Sequence, residues 1–197
     1  MARRPHEIIT SSEVFGSPLS HEGLVRRRFE RRLRLLQIPD DLTGWTVLDI
    51  GAWHGFFSFE CERRGAERVL AVDRFAWDRF GMDEFLNAKA RLGSRVEYRH
   101  IDVHQLDPEE IGQFDLVTAM EVIEHVADKR AFLAATAARL SPDGLMVLST
   151  PNRTARSRLF MIGAAEGIGL IPKGTHHWDD FVTPEELDEL LNEAGLE

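Results

Sequence analysis

Cysteine, tyrosine and long apolar stretches are scarce in this 197-residue chain, which has one Cys and one Tyr. The single cysteine, Cys61, excludes an internal disulfide and a cysteine-rich zinc site. No apolar run reaches the roughly 18 residues of a membrane-spanning helix, and the opening stretch MARRPHEIITSSEVF lacks the apolar core of a signal peptide. These absences predict a reducing, cytoplasmic compartment.

Basic charge is also in the minority, since 33 acidic residues face 24 basic ones and leave a net charge of −9. This balance disfavours a surface built to wrap nucleic acid. The charge is uneven, because residues 1–34 carry eight Arg against four Glu, whereas residues 175–197 carry eight acidic residues and no Lys or Arg. With 43% hydrophobic and 29% charged residues, the composition is that of one folded domain.

Short β-branched runs alternate with helical patterns through the middle of the chain. Strands separated by single helices require right-handed crossovers and a parallel sheet that is covered on both faces. We therefore predict a doubly wound, Rossmann-like α/β domain with its ligand at the carboxyl ends of the strands. The predicted strands are Thr46–Ile50, Arg68–Asp73, Val96–Ile101, Phe114–Met120 and Gly144–Ser149. The predicted helices are Phe56–Arg64, Asp83–Leu92, Asp128–Leu140 and Pro184–Ala194, the last with Thr183 as its N-cap.

The residues that follow the first three strands predict a nucleoside site. Gly51 and Gly55 form a G-x-x-x-G turn that lets the backbone approach a ligand, and this spacing differs from the G-x-G-x-x-G of NAD sites. Asp73 ends the second strand, where an acid can grip a ribose diol. Asp102 follows the third strand and suits the exocyclic amine of an adenine. Acids at strand ends are often only helix caps, but several in this order favour a shared nucleoside site.

A series of motifs between Trp45 and Asn152 carries a family resemblance. VLDIGAWHG, VLAVD, HIDVHQL, FDLVTAMEVIEHV and LSPDGLMVLSTPN together resemble the motifs of class I S-adenosylmethionine-dependent methyltransferases. The resemblance implies S-adenosylmethionine as cofactor and S-adenosylhomocysteine as product. It also implies a role for each of six residues: Asp49, Gly51 and Gly55 beside the methionine part, Asp73 on the ribose hydroxyls, Asp102 on the adenine amine, and Met120 against the adenine or sulfonium region.

The two halves of the chain resemble different subfamilies. The C-terminal half, with MEVIEHV and STPNRTARSRLFMIGAAEGIGLIPKGTHHWDDFVTPEEL, resembles the ubiquinone-biosynthesis O-methyltransferases, which methylate catechol-type polyprenyl intermediates. LDIGAWHGFFSFECERRGAERVLAVD instead resembles the tRNA wobble-uridine carboxymethyl-transfer family and its relatives. The ubiquinone family implies an Arg on the cofactor carboxylate upstream of the glycine turn. Arg31 stands twenty positions before Gly51, with Arg28 and Arg32 as alternatives.

The expected reaction is methylation of a phenolic or catechol oxygen on an apolar small molecule such as a polyprenylated quinone precursor. A tRNA wobble-uridine enzyme and a non-catalytic cofactor-binding domain are the alternatives. His125 has the pKa range of a base and, with Glu121, is predicted to be catalytic, although His125 could equally cap or pack the following helix. His176 and His177 could bind Mg²⁺ with Asp179 or Glu121, but no tight ligand cluster is evident and no metal site is predicted.

The single predicted domain divides into four parts: an N-terminal helical arm (1–44), a cofactor-binding core (45–151), an insertion (152–178) and a final helix (179–197). Within the insertion, Leu159–Pro172 is mostly apolar with basic flanks. This pattern favours either a lid over the site or a peripheral membrane contact through residues 152–173. Methyltransferases of this fold continue with two more strands, so the sheet is expected to lack them, and a homodimer could cover its open edge.

Overall fold

The computed structural model describes residues 33–74, 79–105, 107–154 and 180–196. Its strands are β1 (Thr46–Ile50), β2 (Arg68–Asp73), β3 (Glu97–His100), β4 (Phe114–Met120) and β5 (Leu140–Ser149). Its helices are α1 (Phe56–Arg63), α2 (Arg79–Leu92), α3 (Pro108–Ile111), α4 (Lys129–Ala137) and α5 (Pro184–Glu193), with 3₁₀ turns at Val103–Gln105 and Ile123–His125. Within these ranges, no helix is long and apolar enough to cross a membrane.

The five strands form one sheet in the order β3-β2-β1-β4-β5, and every neighbouring pair is parallel. The prediction of a doubly wound, Rossmann-like parallel sheet is thereby confirmed. The chain moves outward from β1 through β2 to β3 and then returns to place β4 on the other side of β1. The strand order reverses between β1 and β4, and ligands of open α/β sheets bind in the crevice at such a point.

Apolar side chains form one layer on each face of the sheet. Val47 of β1 belongs to a buried cluster with Phe59 and Cys61 of α1, whereas Leu48 belongs to the opposite cluster with Phe132 of α4. This alternation follows from the two-residue period of a strand and requires helices on both faces. Cys61 is a core residue, as its place beside Phe59 indicates, and burial raises the pKa of its thiol.

The final helix begins as the sequence predicts. The side-chain oxygen of Thr183 accepts the backbone N–H of Glu186 at 3.2 Å, and a carboxylate oxygen of Glu186 accepts the N–H of Thr183 at 3.0 Å. This reciprocal pair is a capping box, with Pro184 occupying the first helical position. The helix packs through its partly buried Leu187 and Leu190 against the layer that contains Phe132.

Several predicted boundaries are wrong, most clearly at the last strand. β5 begins at Leu140, four residues before the expected start at Gly144, and α4 already ends at Ala137. The cause is tertiary pairing: Leu140 lies opposite Phe114 of β4, and the register shifts one step further on. Sheet pairing therefore overrides the turn signal of Ser-Pro-Asp-Gly. At other elements, α2 begins four residues earlier than predicted, and β3 is shorter by one residue at each end.

Candidate cofactor and active site

A cavity lies at the carboxyl ends of the strands, against the crevice where the strand order reverses. Its walls come from the ends of β1, β2 and β3 and from the turn after β4. Three residues with predicted cofactor roles, Gly51, Asp73 and Asp102, line it together. The strand register explains this convergence, because Ile50 pairs with Val72, and the residues that follow each strand therefore leave the sheet at one level.

Asp73 connects the turn after β1 to the end of β2. It is 8% exposed, and its Oδ2 accepts the backbone N–H of Trp53 at 2.8 Å. A carboxylate can accept several hydrogen bonds at once, which is the chemistry that a ribose diol requires. Asp73 thus lines the cavity and holds the turn after β1, and its contact with a ribose stays a prediction.

Asp102 lies across the cavity from the β1 turn. Its Oδ1 accepts the backbone N–H of His104 at 3.0 Å, and its Oδ2 is 3.0 Å from Nη1 of Arg74. Apolar side chains of Ile101 and Val103 flank it on the cavity wall. An acceptor set between apolar surfaces suits an adenine, which presents two flat faces and an amine donor.

The two glycines of the β1 turn are required by packing as well as by backbone conformation. Gly51 has φ +69°, and a Cβ at this position would lie 2.4 Å from Cγ2 of Val122 in the turn after β4. Gly55 has φ +85°, and its Cβ would lie 2.6 Å from the rings of Phe59 and Phe85. Both positions are strained for an L side chain, so glycine is what lets the turns after β1 and β4 approach each other closely.

Asp49 is buried inside β1 rather than exposed to the cavity. It is 2% exposed, and its two carboxylate oxygens accept the hydroxyls of Ser58 at 2.5 Å and Thr118 at 2.6 Å. Thr118 lies directly opposite Asp49 in the β1–β4 pairing, which accounts for the contact. Burial raises the pKa of Asp49 to about 6, although both hydroxyl bonds oppose this rise. These contacts give Asp49 a clear role in joining β1, α1 and β4.

Two non-glycine residues with left-handed backbone flank the crevice. Trp53 has φ +43° after β1, and Glu121 has φ +58° after β4. Bulky residues seldom adopt this conformation, and such strain tends to gather at functional sites. The Trp53 indole is 55% exposed and lies 4.3 Å from the His54 ring, centroid to centroid. Burial lowers the pKa of His54 to about 4, so this imidazole is neutral near pH 7.

The end of β4 is tied to the end of β5. Met120 pairs with Ser149, whose hydroxyl donates to Oε1 of Glu121 at 2.7 Å and lies 3.6 Å from the sulfur of Met120. The backbone N–H of Glu121 also donates to the carbonyl of Ser149 at 2.8 Å. Met120 and Glu121 are thus fixed side by side at the crevice, where the sequence predicts a cofactor contact and a catalytic group.

Glu124 and His125 follow in the 3₁₀ turn. His125 is half-buried, and its backbone N–H donates to the carbonyl of Val122 at 2.9 Å. Glu124 is 3% exposed, and its Oε2 accepts the hydroxyl of Thr150 at 3.0 Å. Burial and the nearby charge of Glu121 raise the pKa of Glu124 to about 7. Glu124 lies one turn after the fourth strand in the sequence, but its burial depends on packing that the local pattern does not reveal.

Six residues named in the sequence analysis lie outside the described ranges: Arg28, Arg31, Arg32, His176, His177 and Asp179. Their predicted contacts with the cofactor carboxylate or with Mg²⁺ therefore stay predictions. Within the described ranges, no three His, Cys, Asp or Glu side chains come together in a way that could hold a metal ion.

The cavity lining has the chemistry that an adenosine requires. Carboxylates at the ends of β2 and β3 can accept from hydroxyl and amine donors, and the apolar side chains between them can pack on a purine. Gly51, where the turns after β1 and β4 approach closely, lies at the switch-point crevice. Together with the motif series of the sequence, the sheet order and this lining are those of a class I S-adenosylmethionine-dependent methyltransferase domain.

Comparisons with known proteins agree. A family model described as a methyltransferase domain matches residues 21–197, and the chain belongs to this family. The ubiquinone biosynthesis O-methyltransferase of Rhodopseudomonas palustris (strain TIE-1) is 40% identical over 171 residues, which cover 86% of this chain and 64% of that protein. The protein of the same name from Marinobacter nauticus is 38% identical over 174 residues, which cover 84% of this chain and 69% of that one.

A solved structure shows the same fold. The S-adenosylmethionine-dependent methyltransferase of Mesorhizobium loti superposes with a TM-score of 0.59 and 21% identity, covering 84% of this chain and 79% of that one. The cofactor expected from the sequence motifs is thus the cofactor of the family. Since this chain spans 64% of the length of the first curated relative, the activity of the whole protein is a matter for proposal.

Proposed function

We propose that this chain transfers the methyl group of S-adenosylmethionine to an oxygen of a phenolic or catechol small molecule, such as a polyprenylated quinone precursor. The observation that carries the proposal is the pair of carboxylates, Asp73 and Asp102, that line one cavity; Glu121 lies outside this lining, at the end of β4. The names of relatives about 40% identical to this chain support an oxygen acceptor in ubiquinone biosynthesis.

The cofactor, when bound, supplies a methyl group that is already activated on a sulfonium. The protein therefore has mainly to hold the acceptor oxygen in line and to receive its proton. His125 is the proposed base, since an imidazole titrates near neutral pH. Glu124 is the second candidate, because a carboxyl with a pKa of about 7 can take up a proton under the same conditions. Glu121, held by Ser149, is proposed to orient the acceptor hydroxyl.

The acceptor identity can be tested with labelled S-adenosylmethionine. The intact chain is incubated with a catechol-polyprenyl analogue or with bulk tRNA. Arg99→Ala is assayed beside it as a surface control and should label the same acceptor, because Arg99 lies outside the cavity lining. Label in the catechol supports the proposal. Label in tRNA contradicts it and favours a wobble-uridine enzyme, while cofactor binding without transfer to either acceptor contradicts it and favours a binding domain.

The base can be tested by comparing His125→Gln with Glu124→Gln. Removing the catalytic base should lower the rate of methyl transfer by about 100-fold or more and leave the affinity for S-adenosylhomocysteine unchanged. Loss in His125→Gln with little effect in Glu124→Gln supports His125. The opposite pattern transfers the role to Glu124, and equal small losses contradict general base catalysis by either residue.

The insertion and the location of the protein complete the proposal. We place the protein in the cytoplasm, with residues 152–173 contacting the membrane that holds an apolar acceptor or closing over the site as a lid. The support is the apolar run Leu159–Pro172 and its basic flanks in the sequence; most of this segment lies outside the described ranges. Pelleting with anionic vesicles, with and without a deletion of Leu159–Pro172, tests the membrane contact, and equal pelleting would exclude it.

A further inference from the structure

Arg74 lines the cavity beside Asp102, although the sequence analysis gave it no role. It follows Asp73 directly in the chain, and its Nη1 lies 3.0 Å from Oδ2 of Asp102. Both partners line the cavity, and they differ in exposure: the Asp102 side chain is 19% exposed and that of Arg74 is 63% exposed. The ion pair thus closes the outer side of the adenine subsite that Asp102 is predicted to form.

A hydrogen bond and an ion pair restrain the orientation of the Asp102 carboxylate. The N–H of His104 holds Oδ1 at 3.0 Å, and the guanidinium of Arg74 holds Oδ2 at 3.0 Å. Each oxygen keeps one lone-pair direction for a further donor, since a carboxylate accepts about four hydrogen bonds. Without Arg74, rotation about the side-chain bonds is restrained only by the His104 contact, and the carboxylate must be ordered when the ligand binds.

We propose that Arg74 is a positioning residue that orients Asp102 toward the exocyclic amine of the cofactor adenine. The inference rests on the predicted contact between Asp102 and this amine. An ion pair as exposed as this one contributes little to stability, so a purely structural role would leave little trace on either folding or binding. A positioning role acts on the affinity for adenine, which has the amine that Asp102 is predicted to accept, more than on the affinity for a base without this amine.

Binding of S-adenosylhomocysteine to the intact chain, measured by calorimetry, tests the proposal. Arg74→Ala should weaken binding by about 3- to 10-fold, since a hydrogen bond to a charged group is made less favourable but not lost. Arg74→Lys, which keeps a cation within reach of Asp102, should bind within about 2-fold of the parent chain. Arg99→Ala removes a comparable ion pair, Arg99 with Glu110 at 3.0 Å, outside the cavity lining and should have no effect.

Two further measurements separate positioning from a direct or structural role. S-inosylhomocysteine carries a carbonyl oxygen in place of the amine, so Asp102 has no amine to accept there, and Arg74→Ala should weaken its binding less than that of S-adenosylhomocysteine. In an Asp102→Asn background, adding Arg74→Ala should change the affinity for S-adenosylhomocysteine by less than about 2-fold, because the group on which Arg74 acts is gone.

The outcomes that overturn the inference are distinct from a failure of the proposed function. Unchanged or tighter binding by Arg74→Ala, equal losses for both nucleosides, or an undiminished loss in the Asp102→Asn background would each overturn it. If the parent chain does not bind S-adenosylhomocysteine at all, the cofactor assignment itself is wrong. If the parent binds but transfers no methyl group, the acceptor proposal fails while the role of Arg74 stands.

Discussion

The buried carboxyl of Glu124 makes a quantitative prediction about stability and pH. Burial, together with the charge of Glu121, raises the pKa of Glu124 to about 7 in the folded protein, from its ordinary value of 4.5. Between pH 4.5 and pH 7, the Glu124 carboxyl is therefore protonated in the native state and ionised in the unfolded state. In this window the free energy of unfolding falls as pH rises, and above pH 7 this loss is complete.

The magnitude follows from the difference between the two pKa values. About 2.5 pH units at 1.36 kcal/mol each amount to about 3 kcal/mol of stability lost between pH 4.5 and pH 7. Glu124→Gln removes this titration, while the hydroxyl of Thr150 can still donate to the amide oxygen. Relative to the parent chain, Glu124→Gln should thus gain about 3 kcal/mol on going from pH 4.5 to pH 8.

Urea unfolding at both pH values measures this gain directly. Other groups that titrate in this range, such as Asp49, are common to both proteins and cancel in the difference. Glu109→Gln is the matched control, because Glu109 is exposed and its substitution should show no such pH dependence. The account of a desolvated carboxyl would be refuted if the difference in unfolding free energy between Glu124→Gln and the parent chain were the same at pH 4.5 and at pH 8.

Three other predictions concern the turns and the core around the site. Gly51→Ala should lower the free energy of unfolding by about 2–4 kcal/mol, and Val122→Ala should restore part of it in the double variant, as chemical denaturation would show. Thr118→Val should cost about 1–3 kcal/mol at pH 8 and less at pH 5, where Asp49 holds a proton; equal costs would argue against an ionised Asp49. Cys61 should react with a thiol reagent only at the rate of unfolding, and rapid labelling of the native chain would contradict its burial.

The sheet could be predicted from the sequence because its central strands are mostly apolar runs. A parallel strand covered on both faces has few polar positions, so VLAV in β2 and LVTA in β4 stand out from the amphipathic helices between them. The carboxyl ends of such strands meet at one edge, which is why Asp73 and Asp102 could be assigned to one cavity before any coordinates. The residue at which an apolar run ends can be recognised from the local sequence, and it marks the edge of the sheet where the predicted cofactor site lies.

What could not be predicted depends on contacts between distant parts of the chain. Asp49 and Thr118 are 69 residues apart, and only the β1–β4 register brings their side chains together. The early start of β5 likewise follows from the pairing of Leu140 with Phe114, which no local pattern contains. The left-handed conformations of Trp53 and Glu121 have no sequence signal, because the residue types are ones that usually avoid it.

Calorimetric titration of S-adenosylhomocysteine into the intact chain and into Asp73→Asn tests the central claim most directly. The account predicts one site per chain in the parent and a loss of affinity of about 10-fold or more in Asp73→Asn, because a carboxylate acceptor for the ribose hydroxyls is removed. Trp53 keeps an acceptor in the Asn side chain, so the turn should stay in place. No binding by the parent chain, or equal affinity in Asp73→Asn, would contradict the assignment of this cavity to the cofactor.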